Sequence, residues 1–256
     1  MPSPPAADVT IVVPTYNERD RLAELVDALF AAFDRARLVL ELVIVDDNSP
    51  DGTGALADEL ARTRRMVVVH RSGKLGLGTA VVAGFAVASA PLLGVSDADL
   101  SHPPTVAPTL VAALRAANAD IVVASRYIPG GSTPDWPVGR RFMSRLACWL
   151  ARPLTPIRDA TSGFFVIRQE FARGVPIQAG GFKICLELLI RGWPVRLVEV
   201  PYRFADRELG ESKMSLREAA QYFVQLKDLY LFRWRAPART PQQHRILTAA
   251  EVERLS

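Results

Sequence analysis

Asp97 and Asp99 stand two residues apart in the stretch Ser96-Asp97-Ala98-Asp99-Leu100-Ser101-His102-Pro103-Pro104, between an uncharged apolar run and a proline pair. Two carboxylates at that spacing on a turn can ligate Mg2+ or Mn2+ and leave the cation's other positions open to water and phosphate oxygens. Taken alone, the pair also reads as turn-forming aspartates. His102 is a further candidate ligand, or a support behind the carboxylates. Cations follow: Arg126 closes a later apolar run, and Arg203, Arg207 and Lys213 come after it, the last two beside Gly210 and Ser212. Arginine suits paired contacts to phosphate oxygens, and a loop carrying Arg207 and Lys213 can act as a lid. Residues 1–125 hold 10 Lys and Arg against 15 Asp and Glu, whereas residues 126–256 hold 21 against 12. The first half is suited to holding cations and the second to holding anions.

These side chains need elements to position them. Asp8 to Pro14 (DVTIVVP) predicts a strand buried on both faces. Leu22, Leu25, Val26, Leu29, Phe30 and Phe33 recur at three and four, the spacing of an amphipathic helix. Leu42 to Val45 predicts a second strand, ending in Asp46-Asp47-Asn48-Ser49-Pro50-Asp51-Gly52, where Asp51 or Ser49 can cap a helix over 53–62. Strands are expected at 66–70, 92–95 and 121–124, with a helix at 79–88. Such alternation implies a parallel sheet with right-handed crossovers and a ligand beyond the carboxyl ends of its strands. The polar clusters at 14–18, 46–51 and 97–102 all fall at those ends, so they are expected to meet in one crevice. Past Tyr127 the pattern is less regular, with helices over 142–154, 182–191 and about 215–232 and strands over 162–167 and 195–202.

A hydrophobic content of 49% with 23% charge is globular composition, and 256 residues can bury one large core. Cys148 and Cys185 have no short spacing, which disfavours a metal knuckle or redox pair and fits a reducing compartment. No secretory signal is expected at the N-terminus. Leu75 to Ser96 is uncharged and long enough to span a membrane, yet its four Gly and one Pro favour a buried helix followed by a buried strand. Neither the G-x-G-x-x-G fingerprint after the first strand nor a Walker loop is present; Gly73 to Thr79 (GKLGLGT) is a glycine-rich approach to a helix that can meet a phosphate. Basic residues are spread among acids with no aromatic-basic motif, so no nucleic-acid partner is expected.

The joint pattern is more specific than its pieces. Val13-Pro14-Thr15-Tyr16-Asn17-Glu18, Asp46 to Thr53 (DDNSPDGT), Gly76 to Ala80 (GLGTA), Asp97 to Pro103 (DADLSHP), Ala124-Ser125-Arg126-Tyr127, Thr161-Ser162-Gly163-Phe164 and Gly210-Glu211-Ser212-Lys213-Met214 occur in this order. Together they resemble the motifs of polyprenyl (dolichyl) phosphate mannose synthases, inverting family 2 glycosyltransferases, over residues 8–216. The resemblance implies an α/β fold of GT-A type with a mostly parallel central sheet flanked by helices, over residues 8–235. Residues 1–7 are then a flexible N-terminus and 236–256 a polar tail. It implies that Pro14, Tyr16, Glu18, Ile44 and Asp46 hold the nucleotide, with Asp46 at the base. Asp97, Ala98 and Asp99 match the metal and diphosphate segment, and Ser101 stands where some members carry Gln, a possible third ligand of Mg2+ or Mn2+. Arg126, Arg207 and Lys213 match phosphate-binding positions, and Arg140 an acceptor-phosphate contact.

The implied reaction moves mannose from GDP-mannose to a polyprenyl monophosphate. An acceptor phosphate is already anionic near neutral pH, so a single displacement needs no strong base and turns an α-linked donor into a β-linked product. Alternatives are another donor such as UDP-glucose, a soluble phosphorylated acceptor, or a non-catalytic sugar-nucleotide-binding module. Peripheral attachment at the cytoplasmic face of a membrane is expected, with or without a membrane-embedded partner protein. The helix about 215–232 and the Arg-rich segment 140–158 would then lie in the interface, with Tyr222, Tyr230, Phe232 and Trp234 beside Lys227, Arg233 and Arg235. The other reading packs those aromatics on the domain itself.

Overall fold

The computed structural model describes residues 5–177, 183–205 and 216–255. Along the chain run β1 (Val9–Thr15), α1 (Arg19–Arg35), β2 (Leu40–Asp46), α2 (Thr53–Ala61), β3 (Met66–His70), α3 (Leu77–Val87), β4 (Leu92–Val95) and α4 (Val106–Ala116). The second half adds β5 (Ile121–Ser125), α5 (Val138–Ala151), β6 (Phe165–Arg168), α6 (Ile184–Glu187), β7 (Arg196–Pro201), α7 (Leu216–Arg235), β8 (Gln243–Ile246) and α8 (Ala249–Glu253). The strands form one sheet in the order β3-β2-β1-β4-β6-β5-β7-β8, parallel throughout except for β6, which runs against both of its neighbours. The mostly parallel sheet read from the strand-helix alternation is therefore present, with one reversal that alternation does not reveal.

Each central strand divides its side chains between two cores. In β1, Val9, Ile11 and Val13 pack with Leu22, Leu25 and Leu29 of α1 and with Leu110 and Leu114 of α4. Val12, between them, points the other way, to Val81 and Phe85 of α3. The period-two alternation of a strand buried on both faces produces this split. At Gly84 of α3 an added Cβ would lie 2.4 Å from Val12 Cγ1, so the helix lies on the sheet at a distance only glycine permits. The uncharged stretch from Leu75 is α3 and β4, as its glycines and proline suggest, and among the described residues no helix is long and apolar enough to cross a membrane.

Two parts of the chain differ from expectation. Helix α4 lies where no element was expected. It buries seven of its eleven residues, and Pro108 sits in its first turn, where a missing N–H is tolerated. Residues 236–256 are not an irregular polar tail. β8 extends the sheet by pairing with β7 from Arg196 with Gln243 to Glu199 with Ile246. α8 follows behind a reciprocal cap in which Thr248 and Glu251 satisfy each other's backbone N–H groups. His244 Nε2 lies 2.8 Å from Oε2 of Glu199, a carboxylate with no exposure. Truncation after Arg235 would strip that partner and reopen the β7 edge. Such a chain is expected to lose about 3–5 kcal/mol in urea unfolding, the range for a buried charge deprived of its partner; an unchanged midpoint would show that the C-terminal elements are dispensable.

Candidate active site

The parallel strands deliver their loops to one edge. β1 and β4 are adjacent, and the loops that leave their carboxyl ends contribute Glu18, Asp97, Ala98 and Asp99 to one crevice. Antiparallel β6 begins at that edge: Phe165 pairs with Val95 at the end of β4 and with Val123 near the end of β5. The turn before it, residues 159–164, therefore joins the crevice. The result is a cavity of about 440 Å³ whose lining includes Pro14, Glu18, Asp97, Ala98, Asp99, Arg126, Arg140 and Lys183.

The three polar clusters are tied together by hydrogen bonds. Asn17 N–H donates to Ser49 Oγ (3.0 Å), Glu18 N–H to Thr53 Oγ1 (3.0 Å) and Arg19 N–H to Asp51 Oδ2 (3.2 Å). Asn17, Asn48 and Leu100 adopt left-handed backbone, one in each cluster. Asparagine tolerates that region; leucine does so at about 1–2 kcal/mol, so the 97–102 turn is strained. Its shape is held by Ser101 N–H donating to Asp99 Oδ1 (3.0 Å) and by Arg21 of α1 donating to the Asp99 carbonyl (3.3 Å).

Asp97 is aimed by His102. The Asp97 N–H donates to His102 Nδ1 at 3.0 Å, which leaves the proton on Nε2, 3.5 Å from Asp97 Oδ2. The ring stacks on Phe164 at 4.7 Å, and burial pulls its pKa below the usual histidine range, so it is neutral at pH 7. His102 supports a carboxylate and is not itself placed as a ligand. The Asp97 side chain keeps 34% of its surface exposed, Asp99 lies beneath it, and buried Ser101 Oγ has no hydrogen-bond partner among the described residues. These are hard oxygen donors, the set that suits Mg2+ or Mn2+. Among the described residues no group of three His, Cys, Asp or Glu gathers around a point, so such an ion would share its shell with substrate or water.

Arg126 is held by an acid that sequence reasoning missed. Its Nε and Nη2 donate to the two oxygens of Asp159 at 2.7 Å each, its N–H donates to Oδ2 at 2.9 Å, and Nη2 reaches Thr161 Oγ1 at 3.1 Å. Asp159 is fully buried, and the Arg126 charge beside it holds its carboxyl below the usual range against the opposing effect of burial. The 158–159 turn is pinned by Glu199, which accepts from the N–H groups of Arg158 (2.9 Å) and Asp159 (3.1 Å). The Arg140 guanidinium sits 3.8 Å over the ring of Trp136, which Arg126 approaches at 5.2 Å.

Other expected site residues are placed elsewhere. The Ile44 side chain is fully buried in the core under β2 and does not reach the cavity. The carboxylate of Asp46 is committed to Ser49 and Thr15. Tyr16, 38% exposed, lies outside the cavity with the Lys74 ammonium 4.4 Å over its ring. Arg203 is exposed and lines nothing here, and Arg207 and Lys213 lie outside the described residues. Tyr222 and Phe232 turn inward: Tyr222 donates to the Ala147 carbonyl at 2.7 Å, and Phe232 packs on the core. Tyr230, partly exposed, bonds the Leu150 carbonyl at 2.8 Å. Trp234 remains 82% exposed, and Trp149 of α5 68%.

The model of "Glycosyl transferase family 2" matches residues 10–186. The chain belongs to that family. A dolichol-phosphate mannosyltransferase of Pyrococcus furiosus is 41% identical over 233 residues, covering 88% of this chain and 64% of its own length, so this family 2 chain spans less than two thirds of that relative. A Saccharomyces cerevisiae protein of the same name is 38% identical over 240 residues, 90% of this chain and 89% of its own. A similar fold is seen in a mannosyltransferase of Pyrobaculum calidifontis solved with GDP-Man and Mn2+, with a TM-score of 0.63 at 21% identity, covering 91% of this chain and 66% of that one. That likeness establishes the GT-A-type fold implied by the motifs and leaves donor choice to the site.

For the Arg126–Asp159 pair the expected outcome is sharp non-additivity. Asp159→Asn strands a buried guanidinium and is expected to destabilise by about 3–5 kcal/mol. Adding Arg126→Met is expected to recover part of that loss in a double-mutant cycle read by urea unfolding. Additive losses would mean that the two charges do not depend on each other.

Proposed function

We propose that this family 2 glycosyltransferase transfers mannose from GDP-mannose to the phosphate of a polyprenyl (dolichyl-type) monophosphate, with inversion at the sugar carbon. The observation that carries this reading is the composition of one cavity. Its lining joins the Asp97–Asp99 turn, Arg126 and Arg140 to apolar side chains of α5 and α7, among them Leu146, Leu150 and Phe223. A diphosphate, a phosphomonoester and a hydrocarbon chain can each find complementary surroundings there. The two sequence relatives are dolichol-phosphate mannosyltransferases, which supports the acceptor class.

Pro14, Tyr16, Glu18, Ile44 and Asp46 are assigned to the nucleotide side, the buried ones through the backbone they support. Arg126, Arg207 and Lys213 are assigned to phosphate oxygens. Asp97 and Asp99, with Ser101 as a third oxygen, would hold Mg2+ or Mn2+, which when bound offsets the charge that develops on the leaving diphosphate. Arg126 and Arg140 orient the acceptor phosphate for in-line attack. That phosphate is its own nucleophile and needs no base. His102 is unsuited to be one, because it is buried and both ring nitrogens face Asp97.

Attachment to a membrane surface fits the outer faces of α5 and α7. Val138, Phe142 and Trp149 on α5 and Phe223, Val224 and Trp234 on α7 are exposed, with Arg233 and Arg235 at the end of α7. We assign this surface to the cytoplasmic leaflet, whose anionic lipids attract such cations.

The test is incubation with Mn2+, a panel of nucleotide sugars and a short polyprenyl phosphate, read by mass spectrometry of the lipid. Mannosyl lipid from GDP-mannose is expected, and Asp97→Ala with Asp99→Ala should lower its rate by about 100-fold or more, as should a chelator. Product only from UDP-glucose, or only with a soluble phosphorylated acceptor, would overturn the reading. Replacing Trp149 and Trp234 together by Ala should weaken co-sedimentation with anionic vesicles on the order of ten-fold. A wild-type chain that stays in the supernatant would refute the membrane assignment.

A further inference from the structure

His244 belongs to the C-terminal strand β8, none of whose residues lines the cavity. Parallel pairing sets His244 opposite Leu197 of β7, and Leu197 and Glu199 share one face of that strand. The imidazole reaches along the face to Glu199, where Nε2 lies 2.8 Å from Oε2. A carboxylate only accepts, so Nε2 carries the proton and donates it. The His244 side chain is half-buried, and that of Glu199 has no exposure.

Glu199 gathers three donors. Its Oε2 accepts from the Arg158 N–H at 2.9 Å as well as from His244, and its Oε1 accepts from the Asp159 N–H at 3.1 Å. Asp159 in turn takes three bonds from Arg126, through the backbone N–H, Nε and Nη2, and Arg126 lines the cavity beside Asp97 and Asp99. The sheet runs the same way: β8 pairs with β7, and β7 pairs with β5, which ends just before Arg126 and sets Val123 opposite Glu199. Two carboxylates therefore separate β8 from the cavity, and every link in the path includes a side chain without solvent contact.

Covering the β7 edge requires only the backbone of β8. A β8 side chain that enters the bonding of a β7 carboxylate is a separate feature. A carboxylate at a core position is unfavourable in itself, and what this one secures is the turn at 158–159. Deprived of one donor, it must shift toward another or admit water, and the Asp159 N–H is then held less closely. Because Asp159 and Arg126 meet through two parallel bonds, a rotation of the carboxylate turns the planar guanidinium with it.

We infer that His244 and Glu199 are positioning residues for Arg126, which makes the C-terminal strand part of the scaffold of the active site; this rests on the transfer reaction proposed above. Nothing in this role requires His244 to touch a substrate. It completes the bonding of Glu199, Glu199 holds the Asp159 backbone, and Asp159 sets the plane of the Arg126 guanidinium. A misplacement of about 1 Å in a group that aligns a substrate is enough to slow a reaction without abolishing binding.

The experiment uses the full chain with His244→Leu, His244→Gln, His244→Asn and Glu199→Gln. Arg245→Ala is the control, since it breaks the Arg245–Glu251 pair of the same strand and leaves His244 in place. One reading is the exchange of the Arg126 Nε–H with water by guanidinium NMR, taken relative to a β1 backbone amide that reports global opening, with the signal assigned by its loss in Arg126→Lys. The other is kcat against GDP-mannose KM for transfer to a short polyprenyl phosphate. His244→Leu and Glu199→Gln are expected to speed the relative exchange and to lower kcat by about ten-fold each, at a GDP-mannose KM within about two-fold of wild type. His244→Gln, whose amide can donate from the place of Nε2, should restore most of both, and Arg245→Ala should leave both within about two-fold. Unchanged relative exchange or unchanged kcat in His244→Leu overturns the inference. So does a loss confined to GDP-mannose KM, a loss that Arg245→Ala shares, or a His244→Gln chain that behaves like His244→Leu. If His244→Leu fails to fold, His244→Asn, whose amide is too short to stand in for Nε2, decides together with Glu199→Gln by the same two readings. If wild type forms no mannosyl lipid, the reaction reading fails by itself, and the Arg126 Nε–H exchange alone then decides whether β8 positions that side chain.

Discussion

The desolvated pair of Arg126 and Asp159 is the constraint around which the second half of the chain is arranged. Two ions without water are unfavourable by several kcal/mol each unless their geometry and remaining hydrogen bonds are nearly complete. Here the match is two-pronged, with the Arg126 N–H and Thr161 adding further bonds, and the carboxylate's own turn is fixed by Glu199 from β7. Satisfying all of this demands that residues 159–164 return to the carboxyl edge of the sheet. A strand starting from that edge can only run against its neighbours. β6 is reversed for that reason, and its reversal carries Gly163 and Phe164 to the back of Asp97 and His102. At Gly163 an added Cβ would stand 3.7 Å from Asp97 Oδ1 and 3.5 Å from the His102 ring, in contact with both. One buried ion pair thus places both the cationic and the acidic wall of the cavity.

A second contrast, between polar and apolar, separates the cavity lining supplied by the sheet's loops from that supplied by α5 and α7. It depends on α5 and α7 offering inward polar anchors and outward hydrophobic surface at once. Tyr222 illustrates the division: its hydroxyl bonds the Ala147 carbonyl while its neighbours Phe223 and Val224 face out. Burying those outer side chains against another protein surface would close the groove's flank, whereas an acyl-chain surface leaves a path continuous with the cavity. The arrangement therefore suits a substrate that is delivered from a lipid layer and stays partly in it.

The first half of the fold is readable because its strands are buried on both faces and its helices on one. β3 and β4 span the residues that the apolar runs mark out, and the three polar clusters converge as parallel topology requires. Helix α4 escapes because Val106 to Ala116 has no polar face to set a period and follows two prolines. β8 escapes because Gln243 to Ile246 alternates only between exposed and half-buried side chains; pairing with β7 makes it a strand, and that is a tertiary effect. The Thr248 and Glu251 cap was a local signal that could have been used. At the site, Asp97, Asp99, Arg126 and Arg140 are legible by type and place, but Asp159 and Glu199 act through contacts between segments tens of residues apart, which no local pattern encodes. Ile44 and Asp46 show the converse: motif position identified the loop, while packing turned those side chains to the core and to the loop's own hydrogen bonds.

The unequal charge of the two halves of the chain becomes spatial in the cavity. Glu18, Asp97 and Asp99 come from the acidic half and Arg126, Arg140 and Lys183 from the basic half, and both sets line one space. Under the reaction proposed above, such a lining would receive two anionic substrates, one against a cation bound by carboxylates and one against fixed basic side chains. The nucleophile would then be charged before it arrives, and the protein's task would reduce to alignment and to balancing charge on departure. A buried neutral histidine with one nitrogen taken by a backbone N–H and the other turned to a carboxylate is consistent with that division, since the proposed reaction needs no group in the cavity to remove a proton. The strained Leu100 backbone belongs to the same turn: about 1–2 kcal/mol of strain sits between Asp99 and Ser101, where the chain gathers the oxygen-bearing side chains of Asp97, Asp99 and Ser101 into one short segment.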